Sequence, residues 1–192
     1  MAETFNTRNI TEFRSRLTGG GARANLFEVE IAFPELAIDE RLVTDKIPFL
    51  VKAAEIPASN LGNIPVPYRG RVLPVAGDRT FDPWTVTVIN DTDFQIRDAM
   101  EKWSNSINDL QTAQGTIDPA VYQRSALVKQ LSREGSNPGD PEKVLRTYNF
   151  EGIYPNTVSS IPLDFGATDQ IQEFQVTFNY LFYEVQSPLG NL

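Results

Sequence analysis

From Gln172 to Tyr183 the chain alternates without a break: Phe174, Val176, Phe178, Tyr180 and Phe182 face one way, and Glu173, Gln175, Thr177 and Asn179 the other. A period of two over this length is incompatible with a helix and prescribes a strand with one side in a core. At ~3.3 Å per residue it would span roughly 40 Å, about twice the usual strand. Such a strand presents long rows of backbone donors and acceptors that must be paired or shielded. The expected class is therefore mainly β, built of antiparallel strands.

The same period recurs from Leu26 to Phe33, where Phe27, Val29, Ile31 and Phe33 oppose Leu26, Glu28, Glu30 and Ala32, and again from Trp84 to Ile89. Between Pro34 and Arg79, prolines at 34, 48, 57, 65, 67 and 74 argue against any long helix. Short strands are expected at Phe49 to Ala54 and on either side of Arg69-Gly70, with Gly70 in the turn. Tyr122 to Arg133 and Val144 to Ile153 flank the turn sequence EGSNPGDP and read as a hairpin with a long tip.

One strong helix is expected, from about Asp93 to Leu110, flanking the sheets. Ile96, Met100, Trp103, Ile107 and Leu110 recur at intervals of four and three, and Thr92 with Gln95 fits a capping box. Its polar side carries Arg97, Asp98, Glu101, Lys102 and Asn105. A short helix near Thr11 to Leu17 precedes the glycine hinge Gly19 to Gly21. The organisation is then an arm and hinge at 1–24, a single β domain at 25–184, and a tail at 185–192.

Composition narrows the chemistry. The 192 residues include no cysteine and no histidine, which removes disulfides, thiolate metal sites and the usual neutral-pH base. With 17 Lys plus Arg against 25 Asp plus Glu, the net charge of -8 opposes a surface that grips nucleic acid by counterion release. No apolar run approaches the roughly 20 residues of a bilayer span, and the amino terminus has no secretory pattern, so no membrane role is expected. The Asn9 and Asn90 glycosylation triplets accordingly mean nothing.

Paired carboxylates at Glu28 and Glu30 share one outward face, about 7 Å apart, where solvation keeps both ionised rather than splitting them into acid and base. Asp91 and Asp93 are explained as helix-start residues. Gly77-Asp78-Arg79-Thr80 reads as a turn locked by an ion pair rather than a phosphate or sugar clamp. The aromatic row at 174 to 182 lacks the cationic groove of a base-stacking platform and reads as core.

Several stretches taken together carry a resemblance: TGGGARANLFEVEI from Thr18, KAAEIPASNLG from Lys52, VPYRGR from Val66, GDRTFDPWTVTVIND from Gly77, SALVKQLSR from Ser125, GIYPNTVSSIPLDF from Gly152 and IQEFQVTFNY from Ile171. In this order they resemble the tail tube proteins of contractile-tailed, T-even-type bacteriophages. The most distinctive positions are Tyr68, Arg69, Gly70, Arg71, Gly77, Asp78, Arg79, Thr80, Phe81, Trp84, Asn90 and Asp91. The resemblance implies a β-sandwich subunit with one flanking helix, six of which close into a ring whose strands form a continuous barrel. Rings stack into the inner tube of a virion tail, inside a contractile sheath, and the tube conducts DNA without binding it specifically. It also implies the chain itself, the sheath, the baseplate and the tail terminator as partners, synthesis in the bacterial host cytoplasm, and no catalytic residue, metal or cofactor.

The tube of an injection or secretion system shares that architecture and is the alternative. A monomeric β-sandwich binding a ligand on Trp84 or Tyr68 is a further one. The lumen wall is expected to be acidic to neutral, with Glu28 and Glu30, or Glu173, Gln175, Thr177 and Asn179, as candidates. The helix side bearing Arg97, Asp98, Glu101 and Lys102 is expected to meet the sheath. The amino-terminal arm and the segment from Asp39 to Gly62 are expected at contacts between copies.

Overall fold

The computed structural model describes residues 9–17, 21–35, 40–133, 144–187 and 190–191. The chain opens with a short helix, α1 (Ile10–Arg16), whose first turn is capped by the Asn9 side chain accepting from the Thr11 N–H. The first strand, β1 (Phe27–Ile31), buries Val29 and Ile31.

A helix that the proline argument excluded follows: α2 (Glu40–Leu50), with Pro48 in its last turn. Proline there deprives the helix of one backbone donor, while Val43 and Ile47, one turn apart, are fully buried. Packing of that stripe outweighs the lost bond. The strand expected from Phe49 is thus shortened to β2 (Val51–Ala54), which leaves the helix directly.

Next comes a hairpin of two long strands, β3 (Ser59–Tyr68) and β4 (Arg71–Phe81). The two-residue turn places Arg69 at φ 46° and Gly70 at φ 83°. Positive φ at both central positions is the primed turn that matches strand twist. Pairing Tyr68 with Arg71 across this turn puts Pro67 opposite Val72 and Pro65 opposite Pro74. Those are the pairs between which the two strands exchange no hydrogen bonds, so the missing proline donors lie along the outer rims.

Strand β5 (Trp84–Ile89) runs as the alternation requires, with Trp84, Val86 and Val88 buried. Helix α3 (Gln95–Ile107) is shorter at both ends than its apolar spacing suggests. The capping box does not form: the residue preceding the helix is Phe94, in the left-handed region at φ 52° with no side-chain cap. Ile96, Met100 and Trp103 are buried, whereas Leu110 lies past the helix and is exposed. A single turn, α4 (Pro119–Tyr122), capped by Asp118, takes up Tyr122, the residue expected to begin the next strand.

The remaining strands are β6 (Arg124–Leu131), β7 (Val144–Val158), β8 (Glu173–Asn179), β9 (Phe182–Ser187) and β10 (Gly190–Asn191). The tip between β6 and β7, including EGSNPGDP, lies outside the described residues. All the strand pairs are antiparallel. One sheet runs β1-β6-β7-β9-β10 and the other β2-β5-β8-β7, so β7 belongs to both. It bends at Gly152, φ 68°, where its pairing to β6 shifts register.

That bend explains why the long strand expected from Gln172 to Tyr183 is two strands. β8 pairs with the far half of β7, Tyr154 to Val158, and β9 with the near half, Thr147 to Glu151. Between them the Leu181 N–H donates to the Glu151 carbonyl at 3.0 Å, with the Leu181 side chain over Gly152. The step shifts the phase, so Phe182 is exposed and Val185 is buried in its stead. The architecture is a mainly β sandwich corner-joined through β7, with α2 and α3 as flanking helices where one was expected.

The core lies between the two sheets and beneath these helices. Trp84 of one sheet stacks on Phe150 of the other, Phe178 leans on Trp84, and Trp103 of α3 meets Phe33 edge-on. The Trp103 indole donates to the Tyr122 carbonyl, tying α3 to α4.

Candidate assembly surfaces

The β3–β4 hairpin is the most unusual surface. From Asn60 to Ala76 the hairpin is exposed, including Leu61, Ile64, Val66, Tyr68, Val72, Leu73 and Val75. A two-stranded ribbon has no core of its own and is marginal in water, so contiguous apolar exposure of this kind marks an interaction surface. Its root, in contrast, is fixed. Phe81 packs on Tyr180 and Tyr183 with ring centroids 5.7 and 5.8 Å away, and Asn60 donates to the Asp82 carboxylate. The Tyr180 hydroxyl donates to the Asp82 carbonyl at 2.9 Å. Burial, with Tyr183 and Asp82 beside it, pushes its pKa up to about 12, so the donor keeps its proton.

The residues that carried the family resemblance divide by place. Tyr68, Arg69, Gly70 and Arg71 form the exposed hairpin tip, with the Arg69 guanidinium 5.4 Å from the Tyr68 ring centre. Gly77, Asp78, Arg79, Thr80 and Phe81 lie within β4, whose register with β3 shifts by one residue where Gly77 and Asp78 face Gly62. The expected turn locked by an ion pair is absent there: Arg79 donates across the hairpin to Ser59 Oγ at 2.8 Å. Gly77 and Gly62 are close because a Cβ on either would come within 3.2 Å of the other strand's backbone. Trp84 is core; Asn90 donates to Gln172 Oε1, and Asp91 accepts from Lys46 at 2.8 Å. That hydrogen bond is the main reason the Lys46 pKa is raised, and it pins α2 to the loop before α3.

Glu28 and Glu30 lie on the outer side of the β1-containing sheet and share Lys129 of β6 between them. Burial works to lower the Lys129 pKa, but its hydrogen bond to Glu30 and the charges of both carboxylates outweigh this and leave it raised. One Glu28 oxygen is buried without a hydrogen-bond partner. The pair is an ion cluster, with no arrangement for acid–base work.

Glu173, Gln175, Thr177 and Asn179 lie on the outer side of the other sheet. Glu173 pairs with Lys52 at 2.6 Å, Thr177 meets the Thr85 hydroxyl at 3.2 Å, and Asn179 donates to the Tyr154 hydroxyl. The two candidate walls therefore occupy opposite outsides of one sandwich. On α3, Asp98, Glu101 and Lys102 are exposed, but Arg97 is drawn in. Its guanidinium donates to the Ser159 carbonyl at 2.6 Å and lies over the Phe174 ring. In the described part of the segment from Asp39 to Gly62, α2 and β2 help fill the core, while Phe49, Ile56 and the start of the hairpin are exposed.

Two surfaces were not foreseen: the hairpin's length, hidden because prolines break its alternation, and an apolar groove beside the 159–172 loop, where Leu163, Phe165 and Ile171 stand exposed. Among the described residues no cluster of three or more acidic, histidine or cysteine side chains could hold a metal, and no helix is long and apolar enough to cross a bilayer.

A β-sandwich whose distinctive residues serve surfaces and framework points to a structural class of protein. The chain is a member of the phage tail tube protein family, whose model matches residues 22–186. It is 34% identical to the tail tube protein of Enterobacteria phage T4 over 171 residues, covering 87% of this chain and 93% of that protein. The tail tube protein of Serratia phage KSP90 is 28% identical, over 89% and 93%. Among solved structures, the sheath/tube terminator of an extracellular contractile injection system shares the fold, with a TM-score of 0.62 at 14% identity over 87% of this chain and 97% of that one. The anti-feeding prophage tube-terminating cap does so at 0.60 and 17% identity, over 87% and 91%. The chain is thus a structural tail tube protein of contractile phages, not an enzyme, and its place is the virion tail.

Proposed function

We propose that six copies of this chain close into a ring, that rings stack into the inner tube of the tail, and that the tube conducts viral DNA during contraction. The observation that carries this reading is the β3–β4 hairpin: some twenty residues of strand, apolar on both sides, rooted firmly and covered by nothing among the described residues. Seating it on a neighbouring copy removes that exposure, and the outer edges of β1 and β2 offer ladders through which neighbours in a ring join.

The channel would be acidic to neutral. Charge of the sign carried by DNA keeps the polyanion off the wall, within the ~8 Å over which physiological salt leaves such fields effective. Of the two candidate walls, Glu173 is balanced by Lys52 beside the uncharged Gln175, Thr177 and Asn179, a near-neutral polar face suited to sliding, whereas Glu28 and Glu30 share the single Lys129 and stay net acidic. Asp98, Glu101 and Lys102 of α3 would face the sheath, and the ends of the stack would meet the baseplate and the tail terminator.

Light scattering and negative-stain imaging of the purified chain test the reading. Rings or tubes are expected. A single-chain species at high concentration would refute it.

A further inference from the structure

The register of β3 with β4 sorts the hairpin into two unlike faces. Residues paired across a ribbon point the same way, and the direction alternates from one pair to the next. Tyr68 with Arg71, Val66 with Leu73 and Ile64 with Val75 therefore share one face, whereas Pro67 with Val72, Pro65 with Pro74 and Asn63 with Ala76 share the other. The five apolar side chains of the first face are 42% to 66% exposed. Its outer end is cationic, with Arg71 in the last row and Arg69 in the turn. Above the root, among the described residues, the two strands pack on each other and on little else.

Strand order fixes where this ribbon stands. β2 runs from Val51, opposite Val88, to Ala54, opposite Val86, and the chain re-enters the sheet at Trp84, opposite Phe178 of β8. The hairpin thus leaves the sheet at the end where β5 begins. At the other end Ile89 lies opposite Glu173, and Asn90 donates to Gln172 of the 159–172 loop. The seven residues of β8 hold these two ends ~20 Å apart. A surface at one end that fits a surface at the other makes a heterologous contact, which repeats along the strand direction.

The loop complements the ribbon. It borders a groove of about 960 Å³ lined by Pro162, Leu163, Phe165, Ala167 and Ile171. The charges of the loop are Asp164 and Asp169, with no lysine or arginine, and Glu173 at the rim is balanced by Lys52. Among the described residues neither these aspartates nor Arg69 and Arg71 enter an ion pair. A groove of this size takes a few side chains and not ~33 Å of strand, so only the outer rows of the hairpin fit.

We infer that the hairpin tip of one copy seats in the 162–173 groove of a second copy, with Val66, Tyr68 and Leu73 among Leu163, Phe165 and Ile171, and Arg69 and Arg71 toward Asp164 and Asp169. The inference rests on the self-assembly proposed above and specifies its axial joint. Strand edges close a ring sideways, and tip in groove ties that ring to the next, with every ring facing the same way.

The absence of native cysteine provides a clean test. Two full-length single-cysteine chains, Leu73→Cys on the tip and Ala167→Cys in the groove, mixed under assembly conditions and oxidised, should give a covalent dimer on a non-reducing gel that neither chain gives alone. With the cysteines on different molecules, any such link joins two copies. Val72→Cys, one residue away on the opposite face, should link about tenfold less than Leu73→Cys, and equal linkage would overturn the seat. Arg69→Asp with Arg71→Glu, added to the Leu73→Cys chain, sets like charges beside Asp164 and Asp169 and should lower the yield about tenfold. An undiminished yield would refute the pairing. Negative-stain images of the same sample show which reading has failed: tubes without the covalent dimer leave the tube standing and remove the seat, whereas neither tubes nor dimer removes both.

Discussion

Trp84 and Phe150 lie ring on ring, with centroids 4.6 Å apart and planes 10° from parallel, and both are fully buried. One belongs to β5 and the other to β7, so the pair is where the two sheets meet. The Trp84 indole N–H has no hydrogen-bond partner, which makes its role that of a flat apolar body. Trp84→Ala should cost about 3–5 kcal/mol in chemical denaturation, and Trp84→Phe much less. Equal losses from both would show that the stack is not what holds the sheets together.

The hairpin separates folding from assembly. Val66→Asp with Leu73→Asp places two charges at paired, exposed positions of β3 and β4. Circular dichroism and thermal midpoint should hold within a few degrees, because nothing in the core is touched, while tubes disappear from electron micrographs. Tubes of normal length would remove the hairpin from the list of contacts.

Lys129 supplies a pH signature. Its pKa is raised in the folded chain, so its contribution is fully present below the unfolded lysine value near 10.4 and is lost as the pH climbs through the folded value. Lys129→Met, leaving Glu28 and Glu30 without their shared cation, should destabilise by about 1–2 kcal/mol at neutral pH, modest because the cluster is partly solvated. The gap to the native chain should narrow in denaturation curves above pH ~10.4. A gap independent of pH would contradict the ion cluster.

Sheath contact through α3 can be probed without disturbing the fold. Asp98, Glu101 and Lys102 changed together to Ala should leave rings intact and reduce co-assembly with sheath subunits in pull-down experiments. Arg97 is spared because its guanidinium holds Ser159 and Phe174. Unchanged sheath recruitment would assign that surface elsewhere.

Where local chemistry decided the structure, it could be read directly. The alternation at Trp84 to Ile89 became β5, and the spacing of Ile96, Met100 and Trp103 became the buried side of α3. α2 escaped notice because Pro48 was weighed as a barrier, while the Val43 and Ile47 stripe that overrides it was not. The break after Asn179 was invisible for another reason. Its cause is Gly152, nearly thirty residues upstream, whose bend makes the incoming chain change partners where Tyr180 and Phe182 still alternate. The candidate walls were legible as polar faces, but which side chains Lys129 and Lys52 would neutralise depends on strand order, which periodicity does not encode.

The prolines at 65, 67 and 74 leave the hairpin rims poor in donors, and this bears on how a subunit survives before it is used. A ribbon so edged is a poor backbone template for a stray strand, so this part of a free subunit is less prone to seed open-ended fibres despite its greasy flanks. Growth is left to the flat sides, which recognise shape, and the length of the finished object can then be governed by whatever offers the next seat.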